Sequence, residues 1–282
     1  MTRGRLVESR HRAHAVAVRA GRVVRAAGDP DLVTFLRSAA KPFQALPLAC
    51  EHPELPSEEL AIACASHEAR DEQLALARSL LERAGAGEED LECGAERGSR
   101  LRHNCSGKHA AMLLRTRARG WAHEGYRLPE HPLQRELLAL VADAAGRSPA
   151  EVETGTDGCG VLAFALPLRE LAALFSRLVL HELPGSERVV SAMTAHPELV
   201  GGPTTADTAL MRELPGAVAK RGAEGVLCVG LADGTGVAVK VEDGANRAAG
   251  PAAGRFLGVT ALSETPVLNS RREEVGRIVG DL

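Results

Sequence analysis

The chain is short of aromatics: Phe, Trp and Tyr make up 2% of 282 residues, with one Trp and one Tyr. That excludes an aromatic platform for stacking nucleic-acid bases. Positive charge is not in excess either. Lys and Arg total 34 against 37 Asp and Glu, for a formal net charge of −3 and a pI of about 6.4. No basic field is present to draw in nucleic acid or an anionic membrane. No apolar run approaches the ~20 residues that a membrane helix needs. The opening MTRGRLVESRHR lacks the apolar stretch of a secretory signal, so a cytoplasmic location is expected. There the six cysteines (50, 64, 93, 105, 159 and 228) are expected to stay reduced, which favours packing or metal binding over disulfides.

Lysine is scarce too. Of the 34 basic residues only Lys41, Lys108, Lys220 and Lys240 are lysines. In an arginine-rich background a retained lysine either does something a guanidinium cannot, such as losing its proton, or is a chance leftover.

What is present reads as α+β. HAVAVRAGRVVRAAGD alternates apolar and polar residues around Ala20-Gly21, predicting a hairpin. GVLCVGLADGTGVAVKVEDG predicts a second, with strands over 226–231 and 236–241. Between them the spacing predicts helices over 71–84, with Gly85 as the stop, and over HPLQRELLALVADAAG, ALPLRELAALFSRLVL, SERVVSAMTAHPELV and PTTADTALMREL. The expected architecture is an antiparallel sheet built from the N- and C-terminal strands, with a largely helical middle. No linker divides the chain, so residues 1–282 are expected to form a single discontinuous domain.

Four clusters carry candidate chemistry. In Arg37-Ser38-Ala39-Ala40-Lys41, Ser38 and Lys41 stand three apart, on one face of a helical turn. A neutral lysine there can take the serine proton and make the hydroxyl a nucleophile, the S-x-x-K arrangement of serine β-lactamases and penicillin-binding proteins. Their companion S-D-N and K-T-G sequences are absent. The other role open to Ser38 is a helix cap. In Ala65-Ser66-His67-Glu68, Ser66 is either a cap or a second nucleophile or relay. In His103-Asn104-Cys105-Ser106-Gly107-Lys108-His109, with Thr156-Asp157-Gly158-Cys159-Gly160 some fifty residues on, two thiolates plus an imidazole or a neutral amine suit tetrahedral zinc; two buried thiols is the alternative. Lys240 alternates with Val237, Val239 and Val241 on a predicted strand, a rigid place from which to aim a charge.

Taken in order, R-S-A-A-K-P-F-Q, A-S-H-E, H-N-C-S-G-K-H, T-D-G-C-G and G-V-A-V-K-V-E-D-G resemble the rhizobial-type L-asparaginases, the asparaginase II family, across most of the chain. The resemblance implies a fold similar to serine β-lactamases and glutaminases, a homodimer, and hydrolysis of L-asparagine to L-aspartate and ammonia. It implies two Ser–Lys pairs, Ser38 with Lys41 and Ser66 with Lys240, and zinc on Cys105, Lys108 and Cys159. Arg37 and Asp157 are then the candidate contacts for substrate, and Lys220, outside these motifs, reads as surface charge. Two rivals are another acyl-serine hydrolase, of the β-lactamase, penicillin-binding or glutaminase kind, and a non-catalytic zinc-stabilised protein. One methylene separates asparagine from glutamine, so the sequence does not choose between them.

Overall fold

The computed structural model describes residues 1–281. Two short strands, β1 (Thr2–Arg3) and β2 (Leu6–Val7), precede the first predicted hairpin, formed by β3 (Ala13–Arg19) and β4 (Arg22–Ala27). Its turn residues Ala20 and Gly21 have φ of 48° and 72°, the positive values that a two-residue hairpin turn needs. Strand β5 (Val33–Phe35) leads through a 3-10 turn, Arg37–Ala40, into α1 (Lys41–Glu51), then α2 (Ser57–Ala63), α3 (Asp71–Ala84), α4 (Ser106–Ala118) and α5 (Pro132–Ala144). Helix α3 fills the predicted range and stops at Gly85, at φ 62°.

Strands β6 (Glu153–Thr156) and β7 (Leu162–Pro167) interrupt the helical middle, which the sequence reading did not anticipate. They follow no alternation: β7 is buried along LAFAL, on both faces, so its apolar run merges in sequence with the next helix, α6 (Leu168–Val179). After it come α7 (Ser186–Ala195), α8 (Pro197–Val200) and α9 (Ala206–Glu213). Pro197 splits what the spacing predicts as one helix into α7 and α8. Strands β8 (Val218–Arg221), β9 (Val226–Gly230) and β10 (Gly236–Val241), helix α10 (Asn246–Leu257), and the hairpin β11 (Glu264–Leu268) and β12 (Glu274–Val279) complete the chain.

The terminal strands do share one antiparallel sheet, in the order β4-β3-β10-β9-β8. Both α6 and α10 pack on β3, β9 and β10. Consecutive residues Val237, Ala238 and Val239 are all buried, so the sheet is covered on both faces. The approach of α6 is close: a Cβ added at Gly236 would lie 1.8 Å from the Ala172 carbonyl oxygen. Neither backbone can yield without breaking sheet or helix hydrogen bonds. Gly236→Ala is therefore expected to cost about 3 kcal/mol and to lower Tm by roughly 6 °C or more in a thermal melt. An unchanged Tm would show that the two elements can part.

The small sheet β5-β7-β6 positions the chemistry. Both β5 and β6 run antiparallel to β7, which lies between them, so the chain leaves both in the same direction, with Phe35 opposite Ala165 and Thr156 opposite Leu162. The Ser38 turn leaves from one and the Asp157–Gly160 turn from the other.

Candidate active site

Ser38 is half-buried in the 3-10 turn that runs straight into α1, whose second residue, Pro42, suits a first helical turn. The preceding Arg37 holds φ 51°, an uncommon backbone for a non-glycine residue. Such strain persists only where the surroundings enforce it. Here Arg37 Nε donates to Asp157 Oδ1 at 2.7 Å, tying together the turns that leave β5 and β6.

Lys41 is fully buried, 1% exposed, and reaches across to the segment after α2. Its Nζ donates to the Ala65 carbonyl at 2.5 Å and to Ser66 Oγ at 3.0 Å. Among the described residues no hydrogen bond joins it to Ser38 Oγ. Ser66 lies in an irregular stretch held by two backbone bonds, Ser66 N to Val200 O at 2.8 Å and His67 N to Asn104 O at 3.1 Å. His67 is buried against Ser106, Nε2 to Oγ 2.8 Å. Burial and the nearby Lys41 pull its pKa down to about 4, which leaves it neutral at pH 7.

The second amine on Ser66 is Lys220, not Lys240. Lys220 Nζ donates to Ser66 Oγ at 3.0 Å and to the Arg221 carbonyl at 2.9 Å, and is fully buried. Surface charge was the expectation for this residue, and the structure corrects it: the sheet's edge strand β8 packs against α9 and the Ser38 turn, and encloses the lysine. Burial lowers the Lys220 pKa to about 7; Asp207, 3.6 Å away, opposes the fall, and Lys41 adds to it. Asp207 is itself fully buried at the start of α9. Burial pushes its carboxyl up, but Lys220 and Arg221 outweigh that and hold it below the ordinary carboxylate range. Lys240 is spent elsewhere. At the far end of β10 its Nζ donates to the carbonyls of Glu224, at 2.6 Å, and Val241, at 2.5 Å.

Ser38 and Ser66 line one cavity of about 570 Å³, together with Glu68, Asn104, Arg221 and Asn246. Arg37 and Asp157 do not line it; they bind each other beside the cysteine cluster.

That cluster is compact. Cys105 precedes α4 and Lys108 lies in its first turn, where Gly107 allows a near contact with α2: an added Cβ would sit 2.4 Å from the Ile62 carbonyl oxygen. Lys108 Nζ donates to Cys159 Sγ at 3.0 Å, both groups buried. A hydrogen bond from the Cys105 thiol and the charge of Lys108 draw the Cys159 thiol down to about 5 against the opposing effect of burial. Burial works against the charge on Lys108, yet Cys159, Cys105 and Asp157 hold it more firmly protonated than an ordinary lysine. Nearby Cys93 stays a thiol, pushed up to about 12 by burial. Among the described residues no three His, Cys, Asp or Glu side chains converge to hold a metal, so a site here depends on the lysine as third donor.

Sequence reasoning missed Lys220, Asp207 and Arg221. A weak signal was there: Lys220-Arg221-Gly222 is a Lys-x-Gly on an edge strand, which shares the first and last residues of K-T-G but not its threonine.

A family model described as L-asparaginase II matches residues 1–279. No curated protein sequence matches the chain. Solved structures similar to it include Mglu in its native form, at 17% identity and TM-score 0.47, over 82% of this chain and 59% of that one. Another is EstCE1, a hydrolase with promiscuous acyltransferase activity, at 11% identity and TM-score 0.43, over 82% of this chain and 88% of that one. The chain spans 54% to 61% of the length of the Mglu chains it matches.

Proposed function

As the chain belongs to the L-asparaginase II family, we propose that it hydrolyses the side-chain amide of L-asparagine, giving L-aspartate and ammonia, through an acyl-serine intermediate. The observation that carries the reading is Ser66 Oγ standing 3.0 Å from two buried lysine amines, in a cavity that Ser38 also lines.

Ser38 Oγ attacks the amide carbon, because its hydroxyl opens on the cavity while Ser66 is committed to both amines. The Ser38 proton passes to Lys41. Lys41 hands a proton to Ser66, and Ser66 hands its own to Lys220. This chain needs one vacant site, and burial provides it by bringing Lys220 close to neutrality at pH 7. When the tetrahedral intermediate collapses, the Ser66 hydroxyl, flanked by both amines, donates a proton to the departing nitrogen, and ammonia leaves. Water then attacks the aspartyl ester, its proton passing by the same relay through Lys41 and Ser66 to Lys220, and the relay run in reverse returns a proton to the Ser38 oxygen as the ester bond breaks.

The two sulfurs and the lysine fit a zinc ion in donor type and in clustering, provided that Lys108 gives up its proton on binding. Cys105, Lys108 and Cys159 would hold it, and bound zinc supplies a concentrated positive charge that polarises an oxygen. Elemental analysis of chelator-free protein is expected to find zinc that is lost in Cys159→Ser and kept in Cys50→Ser, since Cys50 is exposed and outside the cluster. Equal zinc in both variants would remove the metal from this cluster. The same family likeness implies a homodimer, which sedimentation equilibrium tests.

The activity itself is tested by ammonia release from L-asparagine and from L-glutamine by the purified protein. Release from asparagine supports the reading; release from glutamine alone transfers it to the longer amide. Silence with both, together with a covalent adduct from a labelled penicillin, would replace it with a lactam-directed acyl-serine hydrolase.

A further inference from the structure

The cavity holds charged side chains that the Ser–Lys relay does not use. Glu68 lies two residues beyond Ser66 in the same extended stretch and lines the same cavity. Among the described residues its carboxylate has no ion-pair or hydrogen-bond partner. Room is kept for it: a Cβ added at Gly202 would lie 2.4 Å from Glu68 Cδ. Any other residue at 202 would push the carboxylate away, and the φ of +157° there also disfavours a side chain.

Arg221 lines the same cavity. Its Nη2 donates to the Ser66 carbonyl at 3.3 Å, and its Nε lies 3.9 Å from Asp207 Oδ2. The hydrogen bond and the ion pair hold one edge of the guanidinium, while Nη1 carries no partner among the described residues. The other arginine of the cavity, Arg247, turns outward: its Nε meets His11 at 3.3 Å and its Nη2 meets Ser9 at 3.1 Å. One unpaired carboxylate and one guanidinium thus share the cavity with both serines.

We infer that Glu68 binds the α-ammonium of the substrate and Arg221 its α-carboxylate. This rests on the amidohydrolase reading above and adds the two residues that hold the substrate's α-charges. A guanidinium offers a carboxylate two parallel donors, and an ammonium satisfies a carboxylate that water alone now serves. A peptide-bound asparagine lacks both charges and leaves both groups unpaired, which costs more than the missing contacts alone.

Product analogues test this without turnover. Calorimetric titrations of the wild-type chain compare L-aspartate with succinate, which lacks the amine, and with β-alanine, which lacks the α-carboxylate. Glu68→Gln is expected to weaken L-aspartate and β-alanine by about 10- to 100-fold and to leave succinate unchanged. Arg221→Gln is expected to weaken L-aspartate and succinate similarly and to leave β-alanine unchanged. Glu68→Gln acting alike on all three ligands, or on none, overturns the inference. The crossover in binding without ammonia release from L-asparagine would keep this clamp and remove the hydrolase reading. Ammonia release without the crossover would do the reverse.

Discussion

Lys220→Met is expected to lower kcat/KM for L-asparagine by about 10³-fold, whereas Lys240→Met is expected to stay within about twofold of the parent. The contrast follows from where the two amines sit. Lys220 is one of the two groups in hydrogen-bond reach of Ser66 Oγ, and it is the one that burial brings down to about 7. Lys240 is held by two backbone carbonyls at the end of its strand. If the neutral form of Lys220 is the proton acceptor, kcat/KM rises with pH through a limb near 7. Asp207→Asn removes the charge that opposes the fall and moves that limb to lower pH. Stability has a matching sign. An unfolded lysine titrates at about 10.4, so between about 7 and that value the unfolded chain binds more protons than the folded one. Folded stability therefore rises with pH across this window; below 7 both states are protonated and the gain is gone. Wild-type Tm is expected to climb from pH 7 to pH 9 relative to Lys220→Met. A flat difference in Tm together with a retained limb near 7 would take Lys220 out of the relay.

Ser38, Lys41 and Ser66 were legible as candidates because short-range spacing reports on short-range geometry. Even so, the i,i+3 relation of Ser38 and Lys41 did not say where the lysine points: the amine turns to Ser66, in a segment brought close by α2 and α8. The two predicted hairpins and their pairing were legible because their strands alternate or end in glycine turns. Strands β6 and β7 were not, because LAFAL is buried on both sides and shows no period. Lys220 was misread for a related reason. The string VAKRGAEG looks like a polar loop, and its burial arises only when α9 and the Ser38 turn close over an edge strand. The Arg37–Asp157 pair was legible as two polar residues near the site, but not as partners of each other. Their meeting depends on β5 and β6 flanking β7, a pairing between segments more than a hundred residues apart.

Ser38→Ala is expected to lower kcat by about 10⁴-fold or more, the loss seen when an acyl-enzyme nucleophile is removed. Ser66→Ala is expected to lose about 10²- to 10³-fold, because water replaces a positioned proton donor less completely than nothing replaces a nucleophile. The difference rests on how each hydroxyl is partnered. Ser66 Oγ lies within hydrogen-bond reach of both amines, so its proton is the part left to give. Ser38 has no side-chain hydrogen bond among the described residues, and lines the cavity with its oxygen free to attack. The two variants also differ in what accumulates. If Ser66→Ala slows the hydrolysis of the ester more than the departure of ammonia, quenched reactions digested for mass spectrometry should carry an aspartyl ester on the peptide holding Ser38. Ser38→Ala should carry none. An ester on the peptide holding Ser66, formed by Ser38→Ala at a substantial rate, would exchange the two roles: Ser66 would be the nucleophile with Lys220 as its base, and Ser38 a bystander on the cavity wall.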